Sequence, residues 1–366
     1  DGKRVGGARM LAVVTLSPGV SGRNYRLPTV RDYEAVWKAQ KRLEAILDVW
    51  EKGGRKGLCP VPDEPLPPIG TLGFRVQRYG MLQWGDLFTA RQKMALVGLA
   101  RLTEEAQSAH SNQDVRHLLA LVIPKLAERL SSLVSWISIT QAPRGTFGRQ
   151  ALPIVWDFLE LAPIAADKEF PELIDVMGKV TERWASCRPS VGQVQISDAT
   201  QHPLPGDTVD VWFTDPPYYD AIPYSDLSDF FLVWLKRTIC GHPLLRDPFD
   251  PGNLLSPKSR EAVQDESKTV DGRPKGRAFF EETMGRAFTE GRQLLKEDGV
   301  SSVVFAHKTT EGWEALLSGM IRGGWTITGS WPIATERPGR LRSQDSAALA
   351  TSVHLVCRPR PEDAPV

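Results

Sequence analysis

The chain of 366 residues has little of several features that would fix its class early. It contains four cysteines, at positions 59, 187, 240 and 357, and no CxxC pair. This spacing argues against a zinc site within the chain and against a disulfide framework, and it favours reduced thiols in the cytoplasm. No apolar run approaches the roughly 20 residues of a membrane-spanning helix. No signal peptide follows Asp1.

The chain also lacks a net charge of either sign. Its 45 Lys and Arg residues face 44 Asp and Glu residues, which leaves a net charge of +1. Any binding to nucleic acid therefore needs a local basic surface, because the protein as a whole exerts no electrostatic pull. Hydrophobic residues at 41% and charged residues at 24% are typical of a soluble globular protein. The length suits one large domain or two ordinary ones.

The periodicity of apolar residues changes along the chain. Up to residue 187 it predicts a strand at 8–16 and helices at 31–52, 89–109, 114–139, 153–161 and 171–184. No phosphate loop, metal cluster or nucleophile–base pair is found in this part. After residue 187 the pattern predicts strands at 191–196, 209–214, 300–306, 325–331 and 352–357, with helices at 227–239, 279–295 and 310–321. Residues 241–277 read as a long polar loop.

The alternation of strands and helices predicts an α/β fold with a mostly parallel, doubly wound sheet in the C-terminal half. A mainly helical region precedes it. We divide the chain into residues 1–70 (strand, helix and Pro-rich connector), 71–187 (mainly helical) and 188–360 (the alternating region).

The most informative stretch is the apolar run 209–214, which ends at Asp215-Pro216-Pro217-Tyr218. Pro216 has no amide donor and cannot continue a strand. It also pushes Asp215 towards extended geometry. The pattern predicts a carboxylate, fixed backbone carbonyls and an aromatic ring at the end of a strand, the edge where open α/β sheets bind ligands. The structural alternative is a Pro-Pro turn after a core strand, with Asp215 only capping it.

These residue types suit methyl transfer to an exocyclic amine of a nucleobase. Such an amine is a poor nucleophile because its lone pair is delocalised into the ring. The Asp215 carboxylate and the Pro216 carbonyl can accept its two N–H groups, and these contacts strengthen as positive charge develops on nitrogen. Tyr218 offers a face on which a flipped base can stack, worth about 1–3 kcal/mol. A sulfonium methyl donor held in line needs no covalent intermediate.

The motif resembles the catalytic motif of amino-methyltransferases, typically the adenine-N6 DNA methylases. The wider match is similar to the large adenine-specific DNA methylases with an associated zinc ribbon and an N-terminal domain of unknown function; it comprises residues 80–88, 146–153, 213–220, 223–230 and 305–309. The resemblance spans roughly residues 9–359. It implies a Rossmann-like methyltransferase region at 188–360, S-adenosylmethionine as methyl donor and DNA as partner, with Asp215, Pro216, Pro217 and Tyr218 as catalytic residues.

One family feature is missing from the sequence. Methylases of this type hold S-adenosylmethionine with a Phe/Pro-x-Gly-x-Gly turn after the first strand, and the chain has no such turn. In this family the turn and the zinc-ribbon cysteines are expected upstream, so we expect the chain to be the C-terminal part of a longer enzyme. Two alternatives stay open: the same chemistry on RNA or on cytosine N4, and a non-catalytic DNA-binding segment. The sequence identifies no restriction or phage-defence partner.

Further site residues follow from position. Asp198 comes after the strand that precedes the motif, which in the resembling fold lies near the adenine of the donor; a loop-capping Asp is the alternative. Tyr219, Asp220 and Tyr224 are predicted to line the base pocket. Lys308, after the next strand, is predicted to contact a phosphate. Its neighbour His307 is interpreted as structural, and Asp226 as a helix cap. We predict no metal ligands.

The polar loop is rich in basic residues, which are Lys258, Arg260, Lys268, Arg273, Lys275 and Arg277. Together with Arg337, Arg340 and Arg342 they are candidates for contacts along a DNA backbone. Acidic residues are interspersed among them, and a solvated loop of mixed charge is the equal alternative.

Overall fold

A computed structural model describes residues 7–17, 19, 22–109, 112–164, 169–187, 190–333 and 352–361. The chain forms two compact units. Unit 1 comprises Asp1–Val191 and Asp226–Ser256, and unit 2 comprises Gly192–Ser225 and Pro257–Val366. Among the described residues, no helix has both the length and the apolar character needed to cross a membrane.

Unit 1 is mainly helical. Its helices are α1 (Val30–Lys52), α2 (Ala90–Ala109), α3 (Gln113–Leu130) and α4 (Phe170–Cys187). Its antiparallel strand pairs are β1 (Val13–Thr15) with β2 (Asn24–Arg26), and β3 (Ser135–Ile137) with β4 (Ala142–Arg144). Helix α5 (Tyr224–Leu235) begins in unit 2 and continues into unit 1. The predicted helices 31–52, 89–109 and 171–184 are confirmed.

Local capping explains why helices begin where predicted. At α1, Asp32 accepts the Thr29 N–H at 2.7 Å and forms a capping box. At α3, the Asn112 side chain accepts the N–H groups of Asp114 and Val115. Such signals lie within a few residues of one another, so the sequence alone carries them.

One helix prediction in unit 1 extends too far, and another is wrong. The helix predicted at 114–139 ends at Leu130, because Ser132 donates both its N–H and its hydroxyl to the carbonyl of Leu87. The helix predicted at 153–161 is absent, since the chain there forms turns without regular structure. The Leu159 N–H donates to the carbonyl of Val134 at 2.7 Å. Distant backbone partners therefore replace the helical hydrogen bonds in both places.

Unit 2 contains a four-stranded sheet of mixed direction. Its strands are β5 (Val209–Thr214), β8 (Leu295–Phe305), β9 (Trp325–Ile333) and β10 (Ser352–Pro359), in the order β5-β8-β10-β9. Helices α6 (Arg277–Leu294) and α7 (Thr310–Arg322) alternate with the strands, and a hairpin of β6 (Asp265–Val270) and β7 (Arg273–Lys275) interrupts the predicted polar loop.

The α/β class is therefore correct, but the prediction of a mostly parallel sheet is wrong for the described strands. Strands β5 and β8 are parallel, whereas β10 runs antiparallel to both β8 and β9. The connections between strands decide whether they pair parallel or antiparallel. The periodicity of apolar residues predicts strands but not the direction of their pairing.

The strand predicted at 191–196 is also wrong. Residues 190–197 have no regular structure, and Val191 and Val194 are each 98% exposed. The segment reads as a strand in the sequence, but a strand forms only where a second one pairs with it. No described strand pairs with this segment.

Helices α6 and α7 cover one face of the unit 2 sheet. Phe280, Met284 and Phe288 of α6 are buried in a core that also contains Leu316 and Met320 of α7. On the sheet side this core contains Val303, Phe305, Trp325 and Leu355. Full burial of side chains of this size contributes about 1.5–3 kcal/mol each. This packing holds β5 and β8 in register, and their ends form the edge described next.

Candidate functional site

The carboxyl ends of β5 and β8 lie side by side because the two strands are parallel and Thr214 pairs with Val303. Asp215, directly after β5, is exposed, whereas Pro216 is buried and Pro217 is half-buried. The prolines thus anchor the corner while the carboxylate faces solvent. This is the strand-end placement that the sequence predicted for Asp215.

Tyr218 stands at the same edge, half-buried. Its ring packs edge-on against Phe305, the last residue of β8, with ring centroids 5.4 Å apart. Burial raises the pKa of Tyr224, the first residue of α5, and a hydrogen bond with the Tyr218 backbone opposes that rise. Two tyrosines and an exposed carboxylate therefore come together within one short loop.

Tyr219 is placed in the core and not on the exposed surface of this edge. Its side chain is 2% exposed, its ring packs edge-on against Phe280, and its hydroxyl donates to Glu311 at 2.8 Å. Burial, together with the Glu311 carboxylate, raises the pKa of Tyr219. The backbone φ of Tyr219 is +45°, a left-handed conformation that costs of order 1–3 kcal/mol and turns the chain sharply after the motif.

Asp220 and His307 join the loops that follow β5 and β8. The His307 Nδ1 accepts the N–H of Thr309 at 3.2 Å, which leaves the proton on Nε2. Nε2 lies 3.1 Å from Oδ1 of Asp220 and donates to it. His307 is buried and Asp220 is exposed, so a locked imidazole fixes one carboxylate oxygen and leaves the other facing solvent. Both ring nitrogens are engaged, in agreement with a structural role for His307.

Glycine at position 312 is needed for this imidazole. A Cβ added there would lie 2.2 Å from the His307 Nδ1. The indole N–H of Trp313 donates to the His307 carbonyl at 3.0 Å. Lys308, the predicted phosphate contact, is exposed next to this fixed residue.

A second carboxylate, Glu261, was not identified from the sequence. It accepts the Ser225 N–H at 2.8 Å and the Ser225 hydroxyl at 2.5 Å. Burial raises the pKa of Glu261 although the hydrogen bonds from Ser225 oppose that shift. Nearby, the Gln264 N–H donates to the Tyr219 carbonyl at 2.9 Å. Glu261 lies 36 residues from Ser225 in what reads as a polar loop, so no local signal pointed to it.

Asp198 makes the contacts of a loop cap. Its Oδ1 accepts the N–H and hydroxyl of Thr200 at 2.9 and 2.7 Å, and its Oδ2 accepts from Arg260 at 2.9 Å. Partial burial raises the pKa of Asp198, but the hydrogen bonds from Thr200 and Arg260 outweigh burial and hold it below its usual value. Both carboxylate oxygens are engaged, which is the structural alternative stated for this residue.

Most basic side chains of the 258–277 loop have internal partners. Arg260 pairs with Asp198, Lys268 with Asp265 and Arg277 with Glu281, and buried Lys275 donates to the Lys258 carbonyl. Internal pairing supports a loop of mixed charge more than a surface that follows DNA. Arg337, Arg340 and Arg342 lie outside the described residues.

No group of three or more His, Cys, Asp or Glu side chains in the described part of the chain is arranged to hold a metal ion.

The residues also do not fit S-adenosylmethionine by themselves. Both carboxylate oxygens of Asp198 already bind Thr200 and Arg260, and the sequence has no glycine turn. What the described residues do form is an exposed carboxylate, Asp215, at the end of a parallel strand, with the ring of Tyr218 at the same edge. No protein-family model matches the chain, and no curated protein matches it either.

Proposed function

We propose that this chain supplies the acceptor half of an amino-methyltransferase that methylates N6 of adenine in DNA with S-adenosylmethionine as donor. The observation that carries the proposal is the exposed Asp215 at the carboxyl end of β5, next to β8 and beside Tyr218 and Tyr224. The resemblance of the motif to adenine-N6 DNA methylases supplies the substrate.

In this proposal the chain's own residues bind and orient the amine. The Asp215 carboxylate and the Pro216 carbonyl accept its two N–H groups, and these hydrogen bonds strengthen as nitrogen becomes positive in the transition state. Tyr218, supported by Phe305, stacks on the flipped base. Such a site needs neither a nucleophilic side chain nor a histidine base.

S-adenosylmethionine supplies the electrophilic methyl group when bound. We place its glycine turn on polypeptide outside this chain, together with the rest of a Rossmann-like, doubly wound sheet. In support, β5 is an edge of the described sheet, and its Val211 and Phe213 are 59% and 61% exposed. A doubly wound sheet would cover such side chains. The free, unpaired cysteines support a cytoplasmic setting.

The test compares Asp215→Ala with wild type, in this chain and in a version extended upstream. Each protein is incubated with labelled donor and unmodified DNA, and the digest is analysed for N6-methyladenine. We expect the extended wild type to label adenine, and Asp215→Ala to lower kcat by about 10²-fold or more. Asp210→Asn is the matched control, because Asp210 lies on β5, the strand that Asp215 follows, and its exposed side chain forms an ion pair with Lys296.

Three results would contradict the proposal. Equal labelling by Asp215→Ala and wild type would remove Asp215 from the chemistry. Label confined to RNA or to cytosine N4 would change the substrate. DNA binding without any label would favour a non-catalytic segment, the alternative that the missing glycine turn supports.

A further inference from the structure

We infer that unit 1 carries a binding surface for single-stranded nucleic acid, in which an unpaired base stacks on Trp156 and phosphates contact Arg75 and Arg78. The surface consists of Arg75, Arg78, Tyr79 and Trp156, and we call it the arginine–aromatic surface. It lies on unit 1, whereas the residues of the proposed methyl transfer lie on unit 2. The inference therefore does not depend on the proposed function.

Trp156 presents an open aromatic face. It is 76% exposed, although tryptophan is highly buried on average in folded proteins. The ring of Tyr79 packs against it, with ring centroids 5.2 Å apart and an interplanar angle of 87°. Rings that meet edge to face cover at most one face of the indole. The other face of Trp156 is therefore open to a planar ligand.

Backbone hydrogen bonds hold this surface in place without a long helix or a sheet. The Leu152 N–H donates to the Gly73 carbonyl at 3.0 Å, and the Arg75 N–H donates to the Leu152 carbonyl at 3.2 Å. Phe74 and Leu152 pair as an isolated bridge, and both side chains are buried. The two segments of the surface are thus fixed side by side. A ligand meets an aromatic pair that is already formed, which lowers the entropic cost of binding.

Two arginines lie beside the aromatic pair. Arg75 is the N-cap of a short 3₁₀ helix, Val76–Tyr79, and Arg78 lies within it. Residues three apart stand above one another in such a helix. Arg75 and Arg78 are both exposed, whereas Val76 is buried. The two arginines therefore extend from the exposed side of the helix that also carries Tyr79.

The combination of rings and cations selects the ligand. Aromatic pairs also bind organic cations, but two arginines repel a cation. An acidic peptide satisfies the arginines and offers no ring to the indole. In a duplex the bases already stack on one another, whereas a single strand presents free base faces between its phosphates. Single-stranded DNA and RNA share this chemistry, so both fit the surface.

The experiment measures binding to the full chain by fluorescence anisotropy, without a methyl donor. The labelled probes are oligothymidylate, oligouridylate and a DNA duplex, each about 12 nucleotides long, within the range of site sizes of proteins that bind single strands by stacking. Trp156→Ala should raise the Kd for both single strands about 5- to 100-fold, the factor expected from losing one stacked base. It should leave duplex binding unchanged. Trp156→Phe, which keeps an aromatic ring, should recover part of the loss.

Salt dependence separates the arginines from the indole. Each phosphate contact with a single strand adds about 0.7 to the steepness of log K against log salt concentration. Arg75→Ala and Arg78→Ala should each reduce that steepness by about 0.7, whereas Trp156→Ala should leave it unchanged. Asp157, which follows Trp156, is exposed and repels phosphate. Asp157→Asn should therefore tighten binding.

Two control variants remove similar side chains elsewhere. Trp331→Ala matches the indole, because Trp331 is 65% exposed on β9 and has no Lys or Arg within five positions of the sequence. Arg101→Ala matches the arginines, because Arg101 is exposed on α2 and pairs with Glu105. Neither variant should change the Kd for single strands or its salt dependence. Melting curves identify any variant that does not fold, and Trp156→Phe then carries the test.

Four results would overturn the inference. They are no binding of single strands by wild type, equal affinity of Trp156→Ala and wild type for them, an equal loss of duplex binding in Trp156→Ala, and binding of an acidic peptide but of no oligonucleotide. The last result would assign the surface to a protein partner. None of them bears on methylation through Asp215, because that test measures N6-methyladenine and this one measures affinity without a donor.

Discussion

Two glycines of α6 should respond in opposite ways to the same substitution. Gly291 faces β5, and a Cβ there would lie 2.3–2.8 Å from three atoms of the Trp212 indole. Trp212 cannot easily move, because its ring stacks on Trp325 at 5.2 Å with an interplanar angle of 16°. Gly285, in the same helix, has no atom within 4 Å of an added Cβ.

Gly291→Ala should therefore destabilise unit 2. Overpacking costs about 1–3 kcal/mol, against a gain in helix propensity of about 1 kcal/mol. Because three indole atoms would lie within 3 Å of the new Cβ, we take the upper part of the overpacking range, about 2–3 kcal/mol, and expect a net loss of about 1–2 kcal/mol. Gly285→Ala raises the helix propensity of α6 without a steric clash, so it should stabilise unit 2 by about 0.5–1 kcal/mol.

Differential scanning calorimetry of the full chain measures both variants. Each kcal/mol of change in the free energy of unfolding shifts the melting temperature by roughly 2–4 °C in domains of 150–250 residues. Because the chain has two units, the shift should be confined to one transition. A Gly291→Ala protein as stable as wild type, or a destabilised Gly285→Ala protein, would refute the packing of α6 against β5.

Two further predictions concern charged and titratable groups. Arg237→Leu should destabilise unit 1 by about 3 kcal/mol, because Glu64, bonded to the guanidinium at 3.0 Å through both oxygens, would remain buried without those two hydrogen bonds. Urea denaturation measures this loss of unfolding free energy, and adding Glu64→Gln to the variant should recover part of it. Lys236, 3.6 Å from Glu64, reduces the loss because it still neutralises part of the buried charge. The folded pKa of Tyr224 lies above the usual value of 10, so its contribution to stability is complete below pH 10 and is lost as pH rises towards about 12. Absorbance at 295 nm should show late titration of both Tyr219 and Tyr224, and Tyr224→Phe should remove one of the two late steps. A midpoint near pH 10 for Tyr224 would contradict the burial described.

The helices that the sequence placed well carry their own start signals. Thr29 and Asp32 at α1, and Asn112 at α3, bind backbone groups within three residues, so the pattern and the structure agree there. The failures share a different cause. At 132–139 and 153–161 the backbone bonds to Leu87 and Val134, and at 191–196 a strand-like pattern has no described partner.

In the candidate site, too, the features set by neighbouring residues were predictable, and those set by distant contacts were not. Asp215, Pro216, Pro217 and Tyr218 were predictable because the break after a strand is a local property of proline and of an apolar run. Their surroundings were not. Glu261 reaches Ser225 across 36 residues, and His307 reaches Asp220 across 87. The parallel pairing of β5 with β8, and the hydrogen bonds from Ser225 to Glu261, bring these groups together. Contacts between distant residues depend on chain topology, which residue spacing does not encode.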